Sequence, residues 1–293
     1  LTSDWRDINI YGKMTAIGAQ FTSGAGIFVK AGGQLDLTNC PLIDGDYIQY
    51  DTGSKGTISN CVFSTMEVAY YTTDLSFSGN TFTGAEPITT YPSLVPALVD
   101  NTFAGSGTSA IRINGGTANA DATWTVMGTA TRYTIFNDMT IAAGVTLTID
   151  EGVEVLTSDW RDINIYGKMT AIGAQFTSGA GIFVKAGGQL DLINCPLIDG
   201  DYIQYDDGSK GTISGSVFST MELVYHTSEP DFVIDENTFI NNDPVSTYPS
   251  LVPELENNTF AGSGKSTIHI QGGTATKDTH WRTIGTATCY ALD

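Results

Sequence analysis

The sequence predicts an all-β solenoid with about 21 residues per coil and three short strands in each, stacked coil upon coil. Three observations carry this. The opening Leu1-Thr2-Ser3-Asp4-Trp5-Arg6-Asp7 recurs as Leu156-Thr157-Ser158-Asp159-Trp160-Arg161-Asp162, and from Leu1 to Ser59 only two positions differ, Thr38 against Ile193 and Thr52 against Asp207. Within the first copy Asn39, Asn60, Asn80 and Asn101 recur at an almost even step of one coil, answered by Asn194, Gly215, Asn237 and Asn258 in the second. The apolar runs are short, alternating, and broken at close intervals by Gly. That pattern suits short strands and fails as a helix.

Each element follows from these repeats. The first repeat unit covers residues 1–155, including a connecting coil at 137–155 that occurs once, and the second covers 156–293. The two are read as one continuous solenoid. Asn and Gly enter the left-handed region most cheaply, so an Asn-to-Gly exchange at one rung points to a backbone need for positive φ. A second ladder, Gly12, Gly32, Gly53 and Asp74, runs one turn earlier. Alternation places Ile8, Ile10, Ile27, Val29, Ile48, Tyr50, Ala69 and Tyr71 inward, and Asn9, Phe28, Gln49 and Tyr70 outward. With strands ~4.8 Å apart, the chain length gives about 14 coils in a rod of roughly 65 Å. Burial of stacked side chains, rather than charge pairing, is expected to supply the stability.

The Asn ladder and the stretch Met139-Thr140-Ile141-Ala142-Ala143-Gly144-Val145-Thr146-Leu147-Thr148-Ile149-Asp150-Glu151-Gly152-Val153-Glu154-Val155 resemble the right-handed parallel β-helix repeats of secreted and cell-surface proteins. That superfamily includes pectate-lyase-like enzymes. The resemblance covers essentially the whole chain as a fold and says little of activity, because fold does not imply function. It implies that an enzyme of this class would carry several Asp or Glu with Lys or Arg on the outer face of one sheet.

Composition narrows the partners. Thirteen Lys and Arg against 32 Asp and Glu give a net charge of −19. Phosphate backbones need clustered cations, so a nucleic-acid partner is excluded, as is electrostatic docking on anionic lipid. No run approaches the ~18 apolar residues of a membrane span. The apolar fraction of 41% is too high for intrinsic disorder.

Candidate sites are few. The densest outward acids are Asp44, Asp46 and Asp51, with Asp199, Asp201, Asp206 and Asp207 in the second copy. Asp44-Gly45-Asp46 and Asp199-Gly200-Asp201 read as solvated turns, as Ca²⁺ sites offering carboxylate oxygens, or as a catalytic pair. Ca²⁺ is thus the sole cofactor candidate, and no catalytic set is assigned. His226, His269 and His280 occur in the second copy alone, where the first has Tyr71, Arg112 and Thr123. They read as surface or ladder residues. Gly262-Ser263-Gly264-Lys265-Ser266 imitates a phosphate-binding loop, but the first Gly of that motif would fall on Thr259 and the first copy lacks the Lys.

Cys40 and Cys61 occupy one slot on neighbouring coils, either as stacked free thiols or as a disulfide, since in-register Cα atoms fall within bridging range. Thr81 and Thr102 at that slot suggest that it faces outward. Cys195 faces Ser216, and Cys289 stands near the end of the chain, so either could join subunits. Asn257-Asn258-Thr259 is a glycosylation sequon at Asn257. Outward aromatics, Tyr11, Phe28 and Tyr70 with Tyr166, Phe183 and Tyr225, could stack on sugar or on another rod.

The expectation from these residues is a structural, non-enzymatic repeat protein at the cell surface or outside the cell: a sheath, surface-layer or filament subunit. It would self-associate through solenoid ends or lateral faces. Nothing in the sequence looks like a cap, so a longer array or end-to-end stacking is expected. The alternative is a carbohydrate-binding adhesin, or a polysaccharide lyase or hydrolase, on the same scaffold.

Overall fold

The computed structural model describes residues 7–22, 26–158, 160–177, 179, 181–225, 231–262, 266–273 and 280–292. It is a parallel β-solenoid of about 13 turns, roughly 21 residues apart. The chain divides into two compact units whose limits differ from those of the repeat. The first comprises 1–114 and 125–134, and the second 115–124 and 135–293.

In the first unit each of the first four coils visits three sheets. The first sheet stacks Ile8–Ile10, Ile27–Val29, Tyr47–Tyr50, Glu67–Tyr70, Ile88–Thr90 and Ser109–Ile113, all parallel. The second stacks Lys13–Ile17, Gln34–Thr38, Lys55–Ser59 and Leu75–Ser78. The third holds short strands at Gln20–Phe21, Leu42–Ile43, Val62–Phe63, Thr81–Phe82 and Thr102–Phe103. In the second unit the equivalent strands Ile163–Ile165, Lys168–Ile172 and Gln175–Thr177 likewise stack in parallel, coil by coil. There they are preceded by a further coil, Met139–Ile141, Thr146–Ile149 and Glu154–Thr157.

The turn from first to second sheet explains its glycines. Gly32 takes φ +80°, and a Cβ on Gly33 would meet the Ile10 carbonyl oxygen at 2.2 Å. Inside, rings stack one per coil. Phe63, Phe82 and Phe103 lie 4.8 and 5.2 Å apart between centroids, and Phe218, Phe239 and Phe260 lie 4.7 and 5.0 Å apart. Each is buried, an arrangement worth roughly 2 kcal/mol or more per ring in apolar burial.

Two departures from the sequence reading share one cause. Tyr70 and Tyr225, expected outward, are buried, and Val68 with Tyr70 takes the inward phase that the sequence reading gave to Ala69 and Tyr71. Tyr70 sits opposite Tyr50, and Phe77 opposite Ile58, so both steps fall short of the common one. A fixed step therefore misphases this coil, and in a strand a slip of one position reverses the face. The third departure is the segment Pro92–Leu98, a 3₁₀ helix repeated at Pro249–Leu255. Pro at its start presets φ. It replaces the second-sheet strand of its coil, buries Val95 and Leu98, and accepts the Tyr70 hydroxyl on the Leu94 carbonyl at 2.7 Å.

Candidate functional site

The Asn ladder resolves into two adjacent rungs. Asn39, Asn60, Asn194 and Gly215 have positive φ between 52° and 60°, as their residue types require. Asn80, Asn101, Asn237 and Asn258 do not, and Gly79 and Glu236 hold the positive φ in the coils of Asn80 and Asn237 instead. These four asparagines occupy the next slot, the one that holds Cys40 and Cys61. The Asn80 Oδ1 accepts the Cys61 N–H at 2.9 Å, and its Nδ2 donates to the Ile58 carbonyl at 2.7 Å and to the Asn101 Oδ1 at 2.8 Å. Asn237 repeats this with Ser216, Ile213 and Asn258.

That slot faces inward, contrary to the sequence reading, because it follows the αL residue and turns back under the coil. Cys40, Cys61 and Cys195 are buried, and all four cysteines are free thiols. The Cys40 N–H donates to the Cys61 Sγ at 3.4 Å, while the Cys61 thiol donates to the Ser59 carbonyl at 3.2 Å. Burial pushes the Cys61 and Cys195 thiols up to about 11. Such thiols stay protonated and unreactive near neutral pH. Cys289 alone is exposed.

The acidic turns are each tied to the next coil. The Asp44 carboxylate accepts the Thr65 hydroxyl of the next coil, and Asp199 accepts that of Thr220. Asp46 and Asp201 accept the Glu67 and Glu222 amides on their backbone carbonyls. Among the described residues no three His, Cys, Asp or Glu side chains converge on one point. His269 Nε2 lies 3.3 Å from Asp243 Oδ1. His280 is exposed, and His226 lies outside the described residues. Residues 263–265 of the loop-like Gly262–Ser266 run are likewise outside, and Ser266 opens a strand rather than a helix. Asn257 is exposed beside the buried Asn258. No helix among the described residues is long and apolar enough to cross a membrane.

The outer face of the first sheet carries charges closed into pairs across coils. Lys30 Nζ lies 3.1 Å from Asp51 and 4.5 Å above the Phe28 ring, and Gln49 donates to Asp51 at 2.6 Å. Lys185, Asp206, Phe183 and Gln204 repeat this in the second unit. Further along, Arg112 reaches Glu67 at 4.0 Å and Glu86 at 3.7 Å, beside the paired rings of Tyr71 and Tyr91. The Thr89 hydroxyl also donates to Glu67. The equivalent residues of the second copy are Glu222, Asp243 and His269. The first acid is unchanged there, while Asp243 replaces Glu86 and His269 replaces Arg112. Sequence reading missed this mixed cluster because its members lie a full coil apart along the chain and meet only through stacking.

The most distinctive geometry lies at the first coil of the first unit. Ile8–Ile10, Lys13–Ile17 and Gln20–Phe21 each stand last in their sheets. Their equivalents in the second unit, identical in sequence, pair on one side with Met139–Ile141, Thr146–Ile149 and Glu154–Thr157. Ile8 is accordingly 43% exposed where Ile163 is 1%. Met14 and Phe21 are half-buried where Met169 and Phe176 are buried. Among the described residues, the same amino acids thus end their sheets in one place and lie beside a further coil in the other. Near the other terminus Trp281 is 38% exposed, whereas its first-copy equivalent Trp124 is fully buried on the strand Ala122–Trp124.

No family model matches the chain, no curated protein matches it, and no solved structure matches it.

Proposed function

We propose that this chain is a structural, non-enzymatic repeat protein of the cell envelope or extracellular space, a sheath, surface-layer or filament subunit that assembles through its solenoid ends or lateral faces. The observation that carries this reading is the stack of about 13 parallel turns, built twice over from one nearly identical unit. The paired charges support it too, since Lys30 with Asp51 and Lys185 with Asp206 join neighbouring coils and are not offered to a ligand. Electron microscopy of native material, with light scattering, tests it. Filaments or sheets are expected, and monodisperse monomers at all concentrations would overturn it.

A second reading, a carbohydrate-binding adhesin or a polysaccharide lyase or hydrolase, is favoured by one observation: the Glu67, Glu86 and Arg112 cluster beside Tyr71 and Tyr91. Acid–base work on sugars uses paired carboxylates, and aromatic faces stack on sugar rings. Incubation with uronate polysaccharides and Ca²⁺ tests it. Unsaturated product lost in Arg112→Ala supports it, and the absence of both product and binding removes it.

A further inference from the structure

We propose that Cys40 and Cys61 form a redox site: when the chain folds beside a small-molecule disulfide, they close into a bond that ties two neighbouring coils of the first unit together. The inference goes beyond the assembly reading and does not rest on it. The backbone sets the pair up. Thr38 lies opposite Ser59, Asn39 and Asn60 take φ of 53° and 52°, and Cys40 and Cys61 follow them. Ladder bonds flank the slot, from the Asn39 amide to the Ser59 carbonyl at 2.9 Å and from the Val62 amide to the Cys40 carbonyl at 3.0 Å. The two Cα atoms are thus held one strand spacing apart, ~4.8 Å, within the range of about 4.4–6.8 Å that disulfides span.

One sulfur is already in place. Cys61 Sγ accepts the Cys40 N–H at 3.4 Å, so it stands against the backbone of its partner. Cys40 Sγ points toward the preceding coil, 3.8 Å from the Ala16 carbonyl oxygen and 3.7 Å from that of Thr38. A thiol is a weak donor, and at those distances its contacts are slight. Turning Cys40 about its Cα–Cβ bond toward Cys61 therefore gives up little, while the Asn80 Oδ1 keeps the Cys61 N–H paired at 2.9 Å. In the second unit Cys195 meets Ser216 at this slot, its N–H donating to the Ser216 Oγ at 3.1 Å, and has no sulfur opposite it.

The chemistry is exchange with the small-molecule disulfide. The thiolate of one cysteine attacks the oxidant's S–S bond and releases one small thiolate, leaving a mixed disulfide. The thiolate of the other cysteine attacks the protein sulfur of that mixed disulfide, forms the Cys40–Cys61 bond and releases the second small thiolate. Two protein thiols are oxidised, one disulfide is reduced, and the two protons pass to the released thiolates. Burial, which pushes the Cys61 thiol up to about 11, leaves little thiolate in the folded chain near neutral pH. Closure therefore belongs to folding, while the thiols are still solvated, and the buried bond is afterwards shielded from reductant.

The test refolds the full chain from urea with oxidised glutathione, or with reductant alone, alkylates it under denaturing conditions and reads peptide masses. The oxidised chain is expected to lose the Cys40 and Cys61 alkylation sites together, recovered as one cross-linked peptide, while Cys195 stays a thiol. Exposed Cys289 is scored on its own peptide. The bridge spans 21 residues of chain, and the oxidised protein is expected to melt roughly 5 °C above the reduced one. That difference is expected to vanish in Cys61→Ser. Ser216→Cys supplies the missing partner in the second unit and is expected to add a second cross-linked peptide, joining Cys195 to position 216. An oxidised chain that keeps both thiols, or in which Cys40 or Cys61 pairs with Cys195 or Cys289, would overturn the proposal. If Cys61→Ser does not fold, Ser216→Cys decides: a second bridge supports the slot geometry, and its absence overturns it.

Discussion

A single asparagine shows how much a buried slot depends on polar satisfaction. Asn80 is fully buried and its amide closes three bonds, to Cys61, Ile58 and Asn101. Asn80→Ala strands the Cys61 N–H and removes the side-chain donor to the Ile58 carbonyl and to the Asn101 Oδ1, which keeps only the backbone N–H of residue 80 at 3.1 Å. At ~1–3 kcal/mol for each buried group left unpaired, partly relieved by relaxation, a loss of about 3 kcal/mol is expected in denaturant unfolding. Asn39→Gly, at an αL rung, is expected to change stability by less than about 0.5 kcal/mol. The thiols give a pH dependence. Burial holds Cys61 and Cys195 protonated up to about 11, against 9.0 for an unfolded thiol. Between those values the folded chain binds more protons than the unfolded chain. The stabilisation is therefore complete below pH about 9 and is lost as pH rises toward 11. Tyr50, Tyr70, Tyr205 and Tyr225, all raised by burial, push in the same direction. Cys61→Ser is expected to fold, because Ser216 fills that slot in the second unit and accepts the Cys195 N–H at 3.1 Å. Its stability loss between pH 8 and 10.5, by urea titration, is expected to be smaller than that of the wild type.

At the scale of the strand and coil, the stacked phenylalanines carry the third sheet, whose two-residue strands are too short to hold by ladder bonds alone. Phe82 packs between Phe63 and Phe103. Phe82→Ala leaves a cavity with rings on both sides, and a loss of about 3–5 kcal/mol is expected by denaturant unfolding, against under about 2 kcal/mol for Phe82→Leu. These elements also show what was legible in the chain before its structure. The solenoid, its three strands per coil and the αL rungs at Asn39, Asn60 and Asn194 follow from spacing, because backbone strain and period-two burial are local. Tyr70 and Asn80 were misplaced because their coil is shorter than its neighbours, and a ladder counted at a fixed step carries the error onward. Pro92–Leu98 was visible only as a phrase repeated between the copies, since no periodicity marks a 3₁₀ turn that substitutes for a strand. The Glu67, Glu86 and Arg112 cluster was hidden for the opposite reason: its residues are ordinary one by one, and only the register of three coils brings them together.

For the molecule as a whole, the duplication supplies an experiment in which sequence is constant and only surroundings vary. Residues 8–21 and 163–176 are identical, so protease cleavage during hydrogen-exchange mass spectrometry yields one peptide mass from two places. Amide exchange reports local opening, and opening is cheapest where strand groups lack a neighbour. In the second unit Tyr166, Lys168 and Gln175 are bonded to the coil above them, whereas Tyr11, Lys13 and Gln20 belong to the coil whose strands end their sheets. The shared peptide is therefore expected to show two isotope envelopes of equal area, since each chain contributes one of each. The heavier envelope is expected from residues 8–21, whose strands end their sheets among the described residues. The peptide shared by residues 26–37 and 181–192 serves as the control, because its strands have a neighbour on both sides in either unit. It is expected to give a single envelope. One envelope for residues 8–21 would mean that the two copies of this coil are equally covered in solution.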